Sequence, residues 1–195
     1  MKYVILALVV LVFVLAGCGE KEDPVDLQQM RITIAEAVES KDLASCDEIK
    51  QQEWKDECYK EVAGVVQDLA ICDKIQNDAD KGSCYGYIAL TQRDGSLCEK
   101  IIDTGWADWC FWNVAEKRGE MSLCTKVQDE REKDLCFAKV AIITLDPSPC
   151  EHIELSARKD ECYFAMAGLQ RDKTICENIE KESDRGFCEK SLALV

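Results

Sequence analysis

The chain has 195 residues with 38 acidic side chains against 24 basic ones, one histidine and thirteen cysteines, for a formal net charge of -14. A body this anionic lacks the basic surface that nucleic acids and anionic lipid faces attract, so neither is an expected partner of the folded part. So many thiols make the compartment decisive, because the same residues read as disulfides outside the cytosol and as metal or redox groups inside it.

The first element answers that question. Met1, Lys2 and Tyr3 precede an apolar run from Val4 to Ala16, the pattern of a secretory signal with a short basic start. At 13 residues it falls short of the roughly 20 that a helix needs to cross a bilayer. Residues 1–17 are therefore expected to be removed.

The next residues, Leu15 to Cys18, read LAGC and resemble the lipobox of prokaryotic lipoproteins. The resemblance implies that the Cys18 sulfur receives a diacylglycerol and that Cys18 becomes the N-terminus. Two acyl chains suffice for stable anchoring. Residues 18–23 then form the lipidated N-terminus and a tether whose last five residues reach about 18 Å when extended, which keeps the body close to the bilayer. Loss of Lys2 with the leader takes the formal charge from -14 to -15. The expected location is extracytoplasmic, lipid-anchored to the cell membrane, where disulfides persist. The lipid also accounts for the odd cysteine.

Asp23 and Pro24 supply a cap and a first helical residue, so 24–40 is predicted to be an N-terminal capping helix. From residue 42 to 195 the chain repeats with a period of 26, in six copies. The cysteines are Cys46, Cys58, Cys72, Cys84, Cys98, Cys110, Cys124, Cys136, Cys150, Cys162, Cys176 and Cys188, with gaps alternating between 12 and 14. An acid stands four residues before each first cysteine (Asp42, Asp68, Asp94, Glu120, Asp146, Asp172) and an apolar branched residue three after it. The second cysteine is followed by Tyr59, Tyr85, Phe111, Phe137 or Tyr163, with Glu189 breaking the rule, and five residues on by alanine.

These spacings are helical. The acid reads as the N-cap of a short first helix, for example 95–102. Cysteine, the aromatic and the residues four and five on share an arc of about 140° at 100° per residue, giving a longer second helix, for example 105–118. Asp78, Thr104 and Ser156 are its predicted caps. Residues 24–40 match a lone second helix, with Ala37 in the alanine register.

Helical geometry also selects the cysteine pairing. With the turn inside each repeat centred near residue 103, Cys98 and Cys110 stand nearly level in an antiparallel hairpin. Cys110 and Cys124 would be displaced axially by about 6 Å at 1.5 Å per residue, beyond what a disulfide spans once the lateral separation is added. Six bridges within repeats are therefore predicted: Cys46–Cys58, Cys72–Cys84, Cys98–Cys110, Cys124–Cys136, Cys150–Cys162 and Cys176–Cys188. A hairpin of this size lies below the roughly 40 residues at which a core alone suffices, so each needs a staple.

Metal sites usually draw ligands from C-x2-C or C-x4-C loops, whereas each pair here is separated by eleven residues. No C-x-x-C-H appears, so no haem, metal or other cofactor is expected. His152 fills a slot held elsewhere by Glu48, Lys74, Lys100, Lys126 and Asn178, and reads as a solvated surface residue. Nucleophile-elbow, phosphate-loop and zinc-protease motifs are missing from the sequence, and an enzyme is not expected.

The predicted fold is all-α, an open right-handed α-solenoid of six disulfide-stapled helical hairpins with an N-terminal capping helix. In architecture it resembles the tetratricopeptide and Sel1-like solenoids over residues 24–195, with a shorter period and without their W-x2-L-G-x2-Y signature. Some prokaryotic lipoproteins with cysteine-paired helical repeats look similar.

One cluster departs from its own repeat. Relative to Cys110 at 0°, Trp112 falls near 200°, Trp109 near 260° and Trp106 near 320° at about 100° per residue, outside the invariant stripe. Trp is enriched at binding hot spots, which makes Trp106, Trp109 and Trp112 candidates for a partner-binding patch. The competing reading packs these rings between adjacent repeats. The expected function is a non-enzymatic scaffold for a protein or peptide partner, with a metal- or thiol-handling lipoprotein, or a structural envelope component, as alternatives.

Overall fold

The structure, a computed structural model, describes residues 27–193. The leader, Cys18 and the tether lie outside those residues. Helix α1 (Leu27–Ser40) is followed by six pairs, each a short helical segment and a long helix. They are α2 (Ala44–Asp47) with α3 (Gln52–Val66), α4 (Leu69–Cys72) with α5 (Asp78–Gln92), and the 3₁₀ segment Gly95–Lys100 with α6 (Thr104–Arg118). Then come Met121–Lys126 with α7 (Glu130–Thr144), Ser148–His152 with α8 (Ser156–Gln170), and Lys173–Asn178 with α9 (Glu182–Leu192). No strand occurs among the described residues.

Each long helix packs against the long helices before and after it, and each short segment contacts the long helix of its own repeat and that of the repeat before. Helix α1 stands in the same relation to α3, so it covers the first repeat. The fold is an all-α solenoid in which contacts run between neighbours.

Six disulfides join Cys46–Cys58, Cys72–Cys84, Cys98–Cys110, Cys124–Cys136, Cys150–Cys162 and Cys176–Cys188, with Cα separations of 5.5 to 5.9 Å. All twelve cysteines are buried. They share the core with the branched residues Ile49, Ile75, Ile101, Val127, Ile153 and Ile179 and with the alanines Ala37, Ala63, Ala89, Ala115, Ala141 and Ala167.

The short helices are tighter than the α-helix predicted over 95–102. In repeats 3 to 6 they are 3₁₀ segments, and in repeats 1 and 2 single α-turns. Six residues are too few to repay α-helix nucleation, and 3₁₀ turns serve as short connectors. Each ends the same way, the cysteine carbonyl accepting from the N–H three residues on, as from Ile101 to Cys98 at 3.2 Å.

Their caps follow the acid register. Asp42, Asp68, Asp94, Asp146 and Asp172 each accept the N–H two residues on, at 2.9 to 3.0 Å. Glu120 is one methylene longer and accepts from the Ser122 hydroxyl instead, at 2.8 Å. At Asp94, Asp146 and Asp172 a Ser or Thr hydroxyl, then the backbone N–H, holds the carboxyl below its ordinary range. Their contribution is present above the ordinary carboxylate pKa and is lost as pH falls through the lowered values.

The predicted caps of the long helices are displaced by one residue. Asp78, Thr104 and Ser156 are the first helical residues, and the N-caps are Asn77, Asp103 and Leu155. Asn77 and Asp103 accept from the N–H groups of Asp80 and Trp106, while Leu155 has no side-chain acceptor.

The starts of α5, α7, α8 and α9 are held by carboxylates of the preceding repeat. Asp56, Asp108, Asp134 and Asp160, each two residues before a second cysteine, are buried. Each reaches into the next repeat and accepts two consecutive N–H groups just before the following long helix. Asp108 binds Gln128 and Asp129 at 2.7 and 2.8 Å, and Asp134 binds Glu154 and Leu155 at 2.9 and 3.2 Å. Asp56 binds Gln76 and Asn77, and Asp160 binds Glu180 and Lys181. These clamps satisfy orphan donors of a helix start that the local side chain often leaves unmet.

Candidate interaction surface

The long helices present a row of seams to solvent, and side chains outside the invariant stripe fill them differently at each junction. Between α5 and α6 the clamp position is Gly82, and Trp106 occupies the space. A Cβ at Gly82 would lie 3.0 Å from the Trp106 Cβ and 3.0 Å from the Ile101 side chain. One turn on, a Cβ at Gly86 would lie 3.2 Å from the Trp109 ring. The junction has exchanged a polar clamp for aromatic packing against bare helix backbone.

Trp106 and Trp109 meet edge to face at 5.3 Å between centroids, and Tyr87 joins them at 6.0 and 5.2 Å, a favoured arrangement for aromatic pairs. All three Trp rings are half-buried against the core, whereas Tyr87 is 50 % exposed. Trp112 sits at the next junction, where Lys139 Nζ lies 4.2 Å from its ring centroid and 3.2 Å from Glu116. The tryptophans are therefore packed between repeats and partly open to solvent at once. Sequence reading missed Tyr87; the signal was the pair Gly82 and Gly86, four apart in a helix that would otherwise prefer side chains there.

Gly82→Val is expected to displace Trp106 and lower stability by about 1 to 3 kcal/mol, as overpacking does. Chemical denaturation with tryptophan fluorescence reads both effects, and an unchanged midpoint would show that the seam has slack. Alanine is the weaker test, because its helix propensity exceeds that of glycine by about 1 kcal/mol.

A second set of side chains runs along the short segments. In the first two repeats the aromatic after the second cysteine meets an acid of its own repeat and a cation of the next. The Tyr59 hydroxyl donates to Asp47, with Lys74 Nζ 5.5 Å from the ring centroid. The Tyr85 hydroxyl donates to Asp73, with Lys100 at 5.8 Å. Phe111 has no hydroxyl to occupy Glu99, and Glu99 pairs with Lys126 instead, Lys126 also lying 5.7 Å over the ring. In the fourth repeat the acid slot is Thr125, and His152 replaces the lysine. It is exposed, but its ring stacks on Phe137 at 5.2 Å and 29°, so it is a ring-covering member of this ladder, not a freely solvated side chain.

Burial first, then the hydrogen bonds to Asp47 and Asp73, push the Tyr59 and Tyr85 hydroxyls up to about 12. Burial, then the charge of Glu151, raises Tyr163 as well. The fold holds these rings protonated beyond their ordinary range. The stability that Tyr59 and Tyr85 contribute is whole below about pH 10 and is lost as pH rises through about 12. Thermal midpoints are expected to fall across that window together with the rise of tyrosinate absorbance; midpoints flat to pH 12 would contradict it.

At the last junction Phe164 of α8 and Phe187 of α9 stack at 5.8 Å and 11°, beside a groove between the two helices. No group of three His, Cys, Asp or Glu side chains among the described residues is placed to hold a metal ion. No described helix is long and apolar enough to cross a membrane. The six disulfides fit an oxidising, extracytoplasmic compartment. No family model matches the chain, and no curated protein or solved structure matches it.

Proposed function

We propose that the protein is a non-enzymatic, lipid-anchored scaffold on the extracytoplasmic face of the membrane, binding a protein or peptide through the outer seams of its long helices. The observation that carries this reading is the cluster of Tyr87, Trp106 and Trp109, partly open to solvent on a frame fixed by disulfides and carboxylate clamps. Rigid aromatics of this kind give contact area at little entropic cost. The LAGC motif at Leu15–Cys18 supports the anchor.

The test is crosslinking in membranes followed by capture of the protein. A discrete partner should be retained by the wild type and lost on Tyr87→Ser or Trp112→Ser, with the helical circular-dichroism signal retained. Capture of nothing by the wild type would favour a structural envelope component. Thiol counting under denaturing, non-reducing conditions is expected to find no free sulfhydryl among the twelve repeat cysteines, and several free thiols would favour metal or thiol handling.

A further inference from the structure

We propose that the groove between α8 and α9 receives an arginine side chain from a cationic peptide segment. It has a volume of about 760 Å³, within the range of pockets that enclose small organic groups. One wall is the stacked pair Phe164 and Phe187, which are 37 % and 65 % exposed. The other groups are mainly carboxylates: Glu161, Glu180 and Asp184, with Lys181 as the single cation of the lining.

Lys181 is engaged with Asp184, Nζ to Oδ2 at 3.1 Å. Asp160, a buried member of the lining, is engaged by the backbone N–H groups of Glu180 and Lys181 at 2.7 and 3.1 Å. Among the described residues, the carboxylates of Glu161 and Glu180 have neither a hydrogen bond nor an ion pair. Two uncommitted negative charges thus flank two accessible phenyl rings.

Four positions before the second cysteine, repeat 3 places Trp106, which fills the corresponding seam, while repeat 6 places Asp184. The lining is aromatic in part and mainly anionic in the rest. Guanidinium suits both: it stacks flat on aromatic faces and binds carboxylates through paired N–H groups, whereas a lysine ammonium offers only a strongly hydrated point charge. The charge of the whole body, -14 before processing, draws cationic segments toward it.

This inference rests on the partner-binding reading and adds the chemistry of the partner at a site apart from the tryptophan seam. The test is calorimetric titration of the oxidised full chain with the peptide acetyl-Gly-Arg-Gly-Arg-Gly-amide and its lysine and glutamate counterparts. The arginine peptide is expected to bind in a salt-sensitive manner, the lysine peptide more weakly, and the glutamate peptide not at all. Phe187→Ser and the double change Glu161→Gln/Glu180→Gln should each weaken arginine binding about tenfold, the scale of losing a charge-assisted or stacked contact. Both variants alter exposed side chains, so their melting should match the wild type.

No arginine binding, arginine binding indifferent to both variants, or equal binding of the glutamate peptide would overturn the proposal. If the crosslinked partner is retained while the arginine peptide fails to bind, this inference falls and the scaffold reading stands. Binding of the peptide with no partner captured from membranes sinks the reverse.

Discussion

Replacing Cys98 and Cys110 together by alanine is expected to reduce the stability of the domain by about 3 kcal/mol, the chain-entropy value for a loop of this length. Both sulfurs are buried at the centre of repeat 3, with Cα atoms 5.6 Å apart. The six-residue 3₁₀ segment Gly95–Lys100 has few internal bonds of its own. Without the bridge only neighbour packing and the Asp94 cap hold it. Because contacts in a solenoid run between neighbours, the damage should spread outward from one repeat. Urea denaturation gives the loss, and hydrogen exchange should rise first over 95–118 and less in α8. Unchanged stability would mean that stacking alone holds the hairpins and the staples are redundant.

Asp108→Ala should cost about 1 to 3 kcal/mol, because it takes the acceptor from two part-buried N–H groups that water can partly satisfy. The bonds at stake, to Gln128 and Asp129, are 2.7 and 2.8 Å long. They join repeats, so the expected signature differs from that of the disulfide variant. The hairpins on either side stay stapled while their coupling weakens, and the unfolding transition broadens with a smaller denaturant slope. Gly186→Asp offers the control. It restores the acid register in repeat 6, where α9 is the last described helix, and should change stability by less than about 0.5 kcal/mol, as surface substitutions do. A sharp, unshifted transition for Asp108→Ala would show that the clamp is incidental.

The clamp register has two exceptions, Gly82 and Gly186. Positions two before and one after the second cysteine act on the following repeat, through the carboxylate and through the ring beneath the next cation. The sixth copy carries Gly186 and Glu189 there, and neither makes such a contact among the described residues. The second copy carries Gly82, and aromatic packing from Trp106 takes the place of the carboxylate.

The sequence by itself determined the all-helical class, the hairpin unit, the capping acids and which cysteine meets which. All of these follow from spacing within one repeat, where residues a few turns apart on known helical geometry must face one another. Only the tertiary structure decided how repeats hold one another: the clamps from Asp56, Asp108, Asp134 and Asp160, the Trp106 and Trp109 packing on Gly82 and Gly86, the stacking of His152 on Phe137, and the open Phe164–Phe187 groove. These contacts join residues 15 to 24 positions apart, most of them off the shared stripe. A solenoid helix has neighbours on several sides, so a side chain facing away from its own hairpin's core can still be packed, and no single-helix periodicity records which neighbour it meets.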